Sequence, residues 1–378
     1  MLNLTVGMKI YDNGWFLRHR LQPEEAADLL QSMGVTFVIA QSRFLPMQNS
    51  AVESAVRNED AGRYAALDDI AFRRALAVRE ISYFACLNIG FDPVFAAAHP
   101  ELLPTDQFGR QETMEDWYIG LPPDRAANLE HKISMLAEAV RGLSPDGVHL
   151  GFMRWPGFWE TWLPDTNRET KPDYCYAPET IHRFSKATRA HVPAADAPTA
   201  AQYIAGHYKT EWRDWKCAVT IAAINEIRAA VLAIKPDLRI AINTLPFLRT
   251  DFEDAVTEVF GQDVARLREV VDIFEVMAYH QILRRDAAWP AAVASDIKSR
   301  SRRSVVCTLQ AKPLYLDGMH AGGGRAQSLS PQEFVTAVDA LERSTVDGLC
   351  VFSFSDLLAM RDSEDGRRMM DRLRRFRR

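Results

Sequence analysis

Residues 154–162, RWPGFWETW, gather an arginine, a glutamate and three tryptophans in one short stretch. A carboxyl flanked by aromatic rings tends to hold its proton near neutral pH, because apolar surroundings disfavour the charged form. Glu160 is therefore a candidate proton donor. Cleavage of a glycosidic bond ordinarily needs a second carboxyl as base or nucleophile. Asp12, at the end of one β-rich run, and Asp92, just past another, are the candidates for that role, Asp12 foremost. A plainer reading stands beside this one: Asp12 forms a turn and Glu160 pairs with an arginine.

Polar groups recur wherever a β-rich run finishes. They include Tyr11-Asp12-Asn13, Gln41 with Arg43, Asn88, Arg154-Trp155, Asn243, Tyr279-His280, Gln310 with Lys312, and Ser353 to Asp356. Sugar hydroxyls want paired polar partners and sugar ring faces stack on aromatics, so this mixture suits a carbohydrate. Arg154, Trp155, Arg43, Trp117, Asn243, Tyr279, His280, Gln310, Lys312 and Asp356 are accordingly expected to bind substrate. Each alone is commonly a cap or turn former; recurrence at every strand end carries the information. Two other functions fit the same residues. One is a sugar lyase or isomerase with Lys312, His280 or Tyr279 as base. The other is a carbohydrate-binding barrel without catalysis.

The elements that position these residues alternate regularly. Strands are predicted at 8–13, 36–41, 82–88, 147–153, 239–245, 273–280, 304–310 and 348–354, with amphipathic segments between them. Helix stops such as MGVTF, SPDGVHL and KPDLRI sit just before strands. Eight β–α units in order predict an α/β fold of the (β/α)8 barrel type, one domain over 1–378 with a loop insertion at about 154–199. Such barrels carry their chemistry on the loops after the strands. Here the loops at 42–66, 89–123 and 154–199 are long enough to hold it.

DGVHLGFMRWP, residues 146–156, resembles the DGIHLDYIRYP strand of uncharacterised glycoside-hydrolase-like barrels, which are distantly related to chitinase-type hydrolases. WRDWKC at 212–217, IKPDLRIAIN, DIFEVMAYHQ, EDWYIGLPP and the closing DGLCVFSFSD are similar to other parts of that family. The resemblance implies a sugar-active barrel. It also exposes a departure: Gly151 falls where the family carries its strand-end Asp, and Met153 where chitinases carry their acid. The chitinase mechanism is thereby excluded, while Arg154 and Trp155 match the family's Arg-Tyr. Alternation along the strand sends His149, Gly151 and Met153 inward. Gly151 is then expected to be the open floor of a pocket, with His149 paired to Glu275 beneath it.

Other function classes find little support. A net charge of −5 offers nucleic acid no general attraction, and the terminal RRMMDRLRRFRR reads as a solvated helix. Five cysteines argue against a disulfide framework, and nine scattered histidines lack metal-ligand spacing, so neither metal nor other cofactor is expected. No nucleophile elbow is evident, and GGGR at 322–325 reads as a flexible loop rather than a phosphate cradle. No signal peptide or membrane-spanning run is read, so the chain is expected to be cytoplasmic, with a carbohydrate as its partner. Nothing in the sequence sets an oligomeric state.

Overall fold

The computed structural model describes residues 2–46, 61–193 and 196–377. Residues 47–60, in the loop expected after the second strand, and 194–195, in the expected insertion, lie outside the described residues. Strands β1 (Val6–Ile10), β2 (Phe37–Ala40), β3 (Ser82–Asn88), β4 (Gly147–Gly151), β5 (Arg239–Thr244), β6 (Ile273–Met277), β7 (Ser304–Gln310) and β8 (Gly348–Phe352) pair in parallel in chain order. β8 returns to β1 and closes the barrel. All eight predicted strands are present.

The largest shift is at β1, which lies two residues earlier than its expected start. Asp12 accepts a bond from the Gly14 amide and Asn13 adopts a left-handed φ of 50°, so the chain turns into a short helix instead of extending. β6 likewise ends at Met277, leaving Tyr279 and His280 on the loop beyond it.

Parallel strands covered by helices are buried on both faces, which explains their near-continuous apolar composition. Val148, Leu150, Ile240 and Ile242 point outward to the helical ring, while alternate residues fill the barrel. At the amino-terminal end the interior is a dry plug of Phe37, Ile39, Phe84, Ala241 and Val306. Gly7 faces Phe37 across β1 and β2, and any Cβ there would collide with the ring. Above this plug the interior turns polar.

Between β4 and β5 the chain makes its longest excursion. Helices Pro178–Thr188 and Ala197–His207 precede the 26-residue helix Lys209–Ile234. By length and composition this last helix could cross a membrane, contrary to the reading of the sequence. Here it is the barrel's crossover helix: Ile224, Ile227 and Val231 are buried, and it packs on helix Ala126–Leu143. The insertion carries its own apolar cluster, in which Trp155, Tyr174, Phe184, Trp212 and Trp215 meet. The C-terminal helix Glu364–Arg375 buries Met369 and Leu373 and pairs Arg372 with Asp339 and Glu342, each at 2.7 Å.

Candidate functional site

A ring of ionised and polar side chains crosses the barrel halfway up. Glu275 on β6 lies 2.9 Å from His149 Nε2 on β4 and 2.8 Å from Lys9 Nζ on β1, and it accepts a bond from the Thr308 hydroxyl on β7. His149 Nδ1 contacts Cys86 Sγ on β3 at 3.3 Å, and Cys86 reaches the Tyr11 hydroxyl. All of these charged groups are buried. Burial alone would drive Glu275 to hold its proton, yet Lys9 and His149 outweigh it and hold the carboxyl down at about 2. Burial likewise opposes charge on His149, but contacts with Cys86 and Glu275 lift the imidazole to about 9. Lys9 is raised for the same reason, its burial overcome chiefly by Glu275. The His149–Glu275 pair expected from strand alternation is present; Lys9, a lone cation in an apolar run, was the unread third member.

Gly151, one layer higher, is not open floor. It pairs in register with Asn88, whose side-chain amide occupies the space that a Cβ would need. A carboxylate at 151 would displace that amide. Asn243 accepts a bond from the Phe152 amide at 3.1 Å and fixes the chain where it leaves β4.

Above this layer FWETW folds as its composition demands. Phe158 stacks on Tyr118 with ring centroids 5.3 Å apart, Trp159 packs on Phe247 and Tyr279, and Trp162 on Phe247 and Phe260. With the rings anchored to three different loops, Glu160 is left buried among Arg154, Arg325, Tyr118, Tyr279 and Tyr315. Burial pushes its carboxyl up to about 7, against the opposing pull of Arg154 and Arg325. Arg154 is 2% exposed, and its guanidinium lies 4.7 Å from the centre of the Phe152 ring. None of its three nitrogens has a hydrogen-bond partner among the described residues. The side-chain oxygens of Gln41, Asn88 and Gln310, at three further strand ends, are buried and unpartnered too. Buried polar groups are nearly always satisfied, so these unsatisfied ones make the strand ends the candidate place for a ligand.

The remaining expected residues are dispersed. Asp12 is held by Arg18, the Gly14 amide and Ser355 Oγ at 2.6 Å, on the rim between β1 and β8. Asp92 is buried as the cap of helix Pro93–Ala98 and bonds Lys132 Nζ at 2.6 Å; both oxygens are committed to the scaffold. Arg43 pairs with Asp69 at 3.1 Å on the outer side of the sheet. Trp155 is fully buried in the insertion's cluster, its Nε1 donating to the Lys216 carbonyl at 3.0 Å. His280 faces Asp286 and Glu333 rather than Glu160, and burial lowers its pKa. Lys312 bonds Asp356 at 2.8 Å, and Gln310 donates to Gln281 at 2.9 Å. Half-buried Trp117 stays near Glu160's neighbours, donating to the Tyr315 hydroxyl at 3.1 Å. Arg154, Glu160 and Tyr279 are thus brought together. Asp92, Arg43, Trp155 and His280 are drawn away by packing and pairing that one sequence does not display.

Arg325 and Glu112 were not anticipated. Arg325 follows the three glycines read as a flexible loop; its guanidinium bonds the carbonyls of Ile282 and Glu160, each at 2.8 Å. A lone arginine closing a glycine run in a barrel loop was the available signal. Glu112 is buried, accepts a bond from the Gly120 amide at 2.9 Å, and is pushed up to about 8 by burial. It lines a cleft of about 210 Å³ with Tyr118, Phe158 and Lys171. A larger cleft of about 870 Å³ lies beside the insertion, against Asp173, Trp212 and Arg213, and does not reach Glu160 or Arg154 among the described residues. The larger cleft and the unpaired polar groups at the strand ends thus lie in different places among the described residues.

No family model matches the chain, and no curated protein is similar to it in sequence. Its fold is shared with glycoside hydrolases. The PgaB (BpsB) glycoside hydrolase domain from Bordetella bronchiseptica superposes with a TM-score of 0.65 at 14% identity, over 99% of both chains. The catalytic domain of β-amylase from Paenibacillus polymyxa gives 0.60 at 12% identity, over 99% of this chain and 98% of that one. The β-galactosidase from the psychrophilic Marinomonas ef1 gives 0.61 at 10% identity, over 93% of this chain. The chain spans about half the length of that β-galactosidase.

Proposed function

We propose that the protein hydrolyses a glycosidic bond, with Glu160 protonating the leaving oxygen. The observation that carries this is the Glu160 carboxyl at the mouth of the barrel, lifted to about 7 by burial, as a general acid requires. The fold shared with glycoside hydrolases supports it, and the strand-four motif supports a place among barrels distantly related to the chitinase type. Asp12 is the second carboxylate in this reading. Unlike Asp92 it keeps part of its surface in solvent, and it is held on the rim by Arg18 and Ser355. Tyr279 and Trp117 offer ring surface to a sugar. The five cysteines are all buried and free, which supports a reducing compartment such as the cytoplasm.

Gly151 and the Asn88 amide that fills its place favour one other reading, a carbohydrate-binding barrel that no longer cleaves. Incubation with a panel of oligosaccharides, read by mass spectrometry, decides between them. Products that have gained water support hydrolysis. Glu160→Gln should then lower kcat by roughly 10²- to 10⁴-fold with the fold intact. Unsaturated products would mean a lyase, and thermal stabilisation without turnover would mean a binder.

A further inference from the structure

At the mouth of the barrel two guanidiniums act on the one carboxyl of Glu160. Arg154 and Arg325 both lie near Glu160, and no carboxylate lies within ion-pair distance of either guanidinium among the described residues. Arg325 is satisfied by carbonyls alone: those of Ile282, Glu160, His320 and Gly322. Arg154 has only the face of the Phe152 ring, and no hydrogen-bond partner among the described residues. Beneath them the Lys9–Glu275–His149 ring holds two basic groups against one acid. Lys312 and Arg43, also expected to bind substrate, are paired with Asp356 and Asp69.

An isolated buried guanidinium is costly, because the protein interior solvates it poorly. The protein tolerates it beside Glu160, where uncharged Tyr118 and Phe152 form the walls. A neutral sugar would leave that cation uncompensated, since hydroxyls bring no charge. A planar carboxylate matches the guanidinium fork and can accept two parallel N–H bonds from it.

We infer that the sugar unit recognised beside Glu160 is anionic, a uronate whose carboxylate is held by Arg154. This rests on the reading of the site as a glycoside-cleaving one and names the class of its substrate. Glu160 would act on the glycosidic oxygen while Arg154 fixes the ring through its acid group. The Arg325 charge, held behind the Glu160 carbonyl, adds attraction without contact.

Isothermal titration of the full chain tests this with uronic acid oligosaccharides of gluco, galacto and manno configuration, each beside its neutral counterpart and a sulfated one. At least one uronate should bind roughly ten- to a hundredfold tighter than its neutral partner, a charged hydrogen-bonded pair being the difference. Arg154→Met should remove that preference. If this variant does not fold, Arg154→Lys should reduce the preference in part, since the charge stays and the fork is lost. Binding of no uronate, a neutral or sulfated sugar bound as tightly as the uronate, or a preference unchanged by Arg154→Met would overturn the inference. Turnover of neutral oligosaccharides without uronate preference leaves the hydrolase reading standing and sinks this one. Arg154-dependent uronate binding without turnover of any glycan does the reverse.

Discussion

Two polar layers lie one above the other in this barrel, and they are built on opposite rules. In the lower layer Glu275 meets Lys9, His149 and Thr308, and both its oxygens are used. In the upper layer Arg154 meets no hydrogen-bond partner among the described residues, and burial pushes the Glu160 carboxyl up to about 7. The lower layer is closed by protein; in the upper one the Arg154 guanidinium is left without a hydrogen-bond partner among the described residues. Burial is common to both, so burial alone does not mark a functional group. Whether the neighbours complete the group does.

The sharpest way to break this comparison is to unbalance the lower layer. Glu275→Leu leaves two buried cations facing each other and should destabilise the protein by about 3–5 kcal/mol, read by denaturant unfolding. Replacing Lys9, His149 and Glu275 together by apolar residues of similar volume should recover most of that loss. A Glu275→Leu protein as stable as the parent would show that the layer is not a closed unit.

Titration separates the layers next. Glu160 has its pKa raised from 4.5 to about 7 in the folded chain, so folding favours its protonated form. Its contribution is complete below pH 4.5 and is lost as pH rises through about 7, a swing of roughly 3 kcal/mol at most. Glu112, raised to about 8, adds a loss in the same direction. Glu160→Gln should therefore flatten the fall in melting temperature across that window. The lower layer behaves otherwise. His149 contributes fully below pH 6.5 and loses its share as pH rises through about 9. Glu275 contributes above pH 4.5 and loses its share as pH falls towards 2. A Glu160→Gln profile parallel to the parent's would remove the carboxyl from the buried mouth.

The smallest expected effect concerns the boundary between the layers. Gly151→Asp forces a side chain into the space of the Asn88 amide and should cost about 1–3 kcal/mol, with no gain of hydrolysis. Adding Asn88→Gly should restore stability. If Gly151→Asp alone folds as well as the parent and cleaves faster, the space is open and the acid was simply lost.

The sequence by itself determined the barrel. Its strands and helices alternate with local periodicities that depend only on neighbours along the chain, and all eight strands were legible. His149 and Glu275 were legible as a pair, since alternation on two predicted strands sends both side chains inward. FWETW announced a carboxyl with a raised pKa because its aromatic setting is local. Tertiary structure decided the rest. Asp92 was given to Lys132, 40 positions away, and Trp155 to a cluster formed by a helix more than 50 residues on. Lys9 joined the charged ring only when β1 and β6 came to face each other across the barrel. Asn88 filled the place at Gly151 only through the register of β3 on β4. Which polar residue is spent on the scaffold and which is left unpaired depends on partners distant in sequence, and closure of the barrel alone brings them within reach.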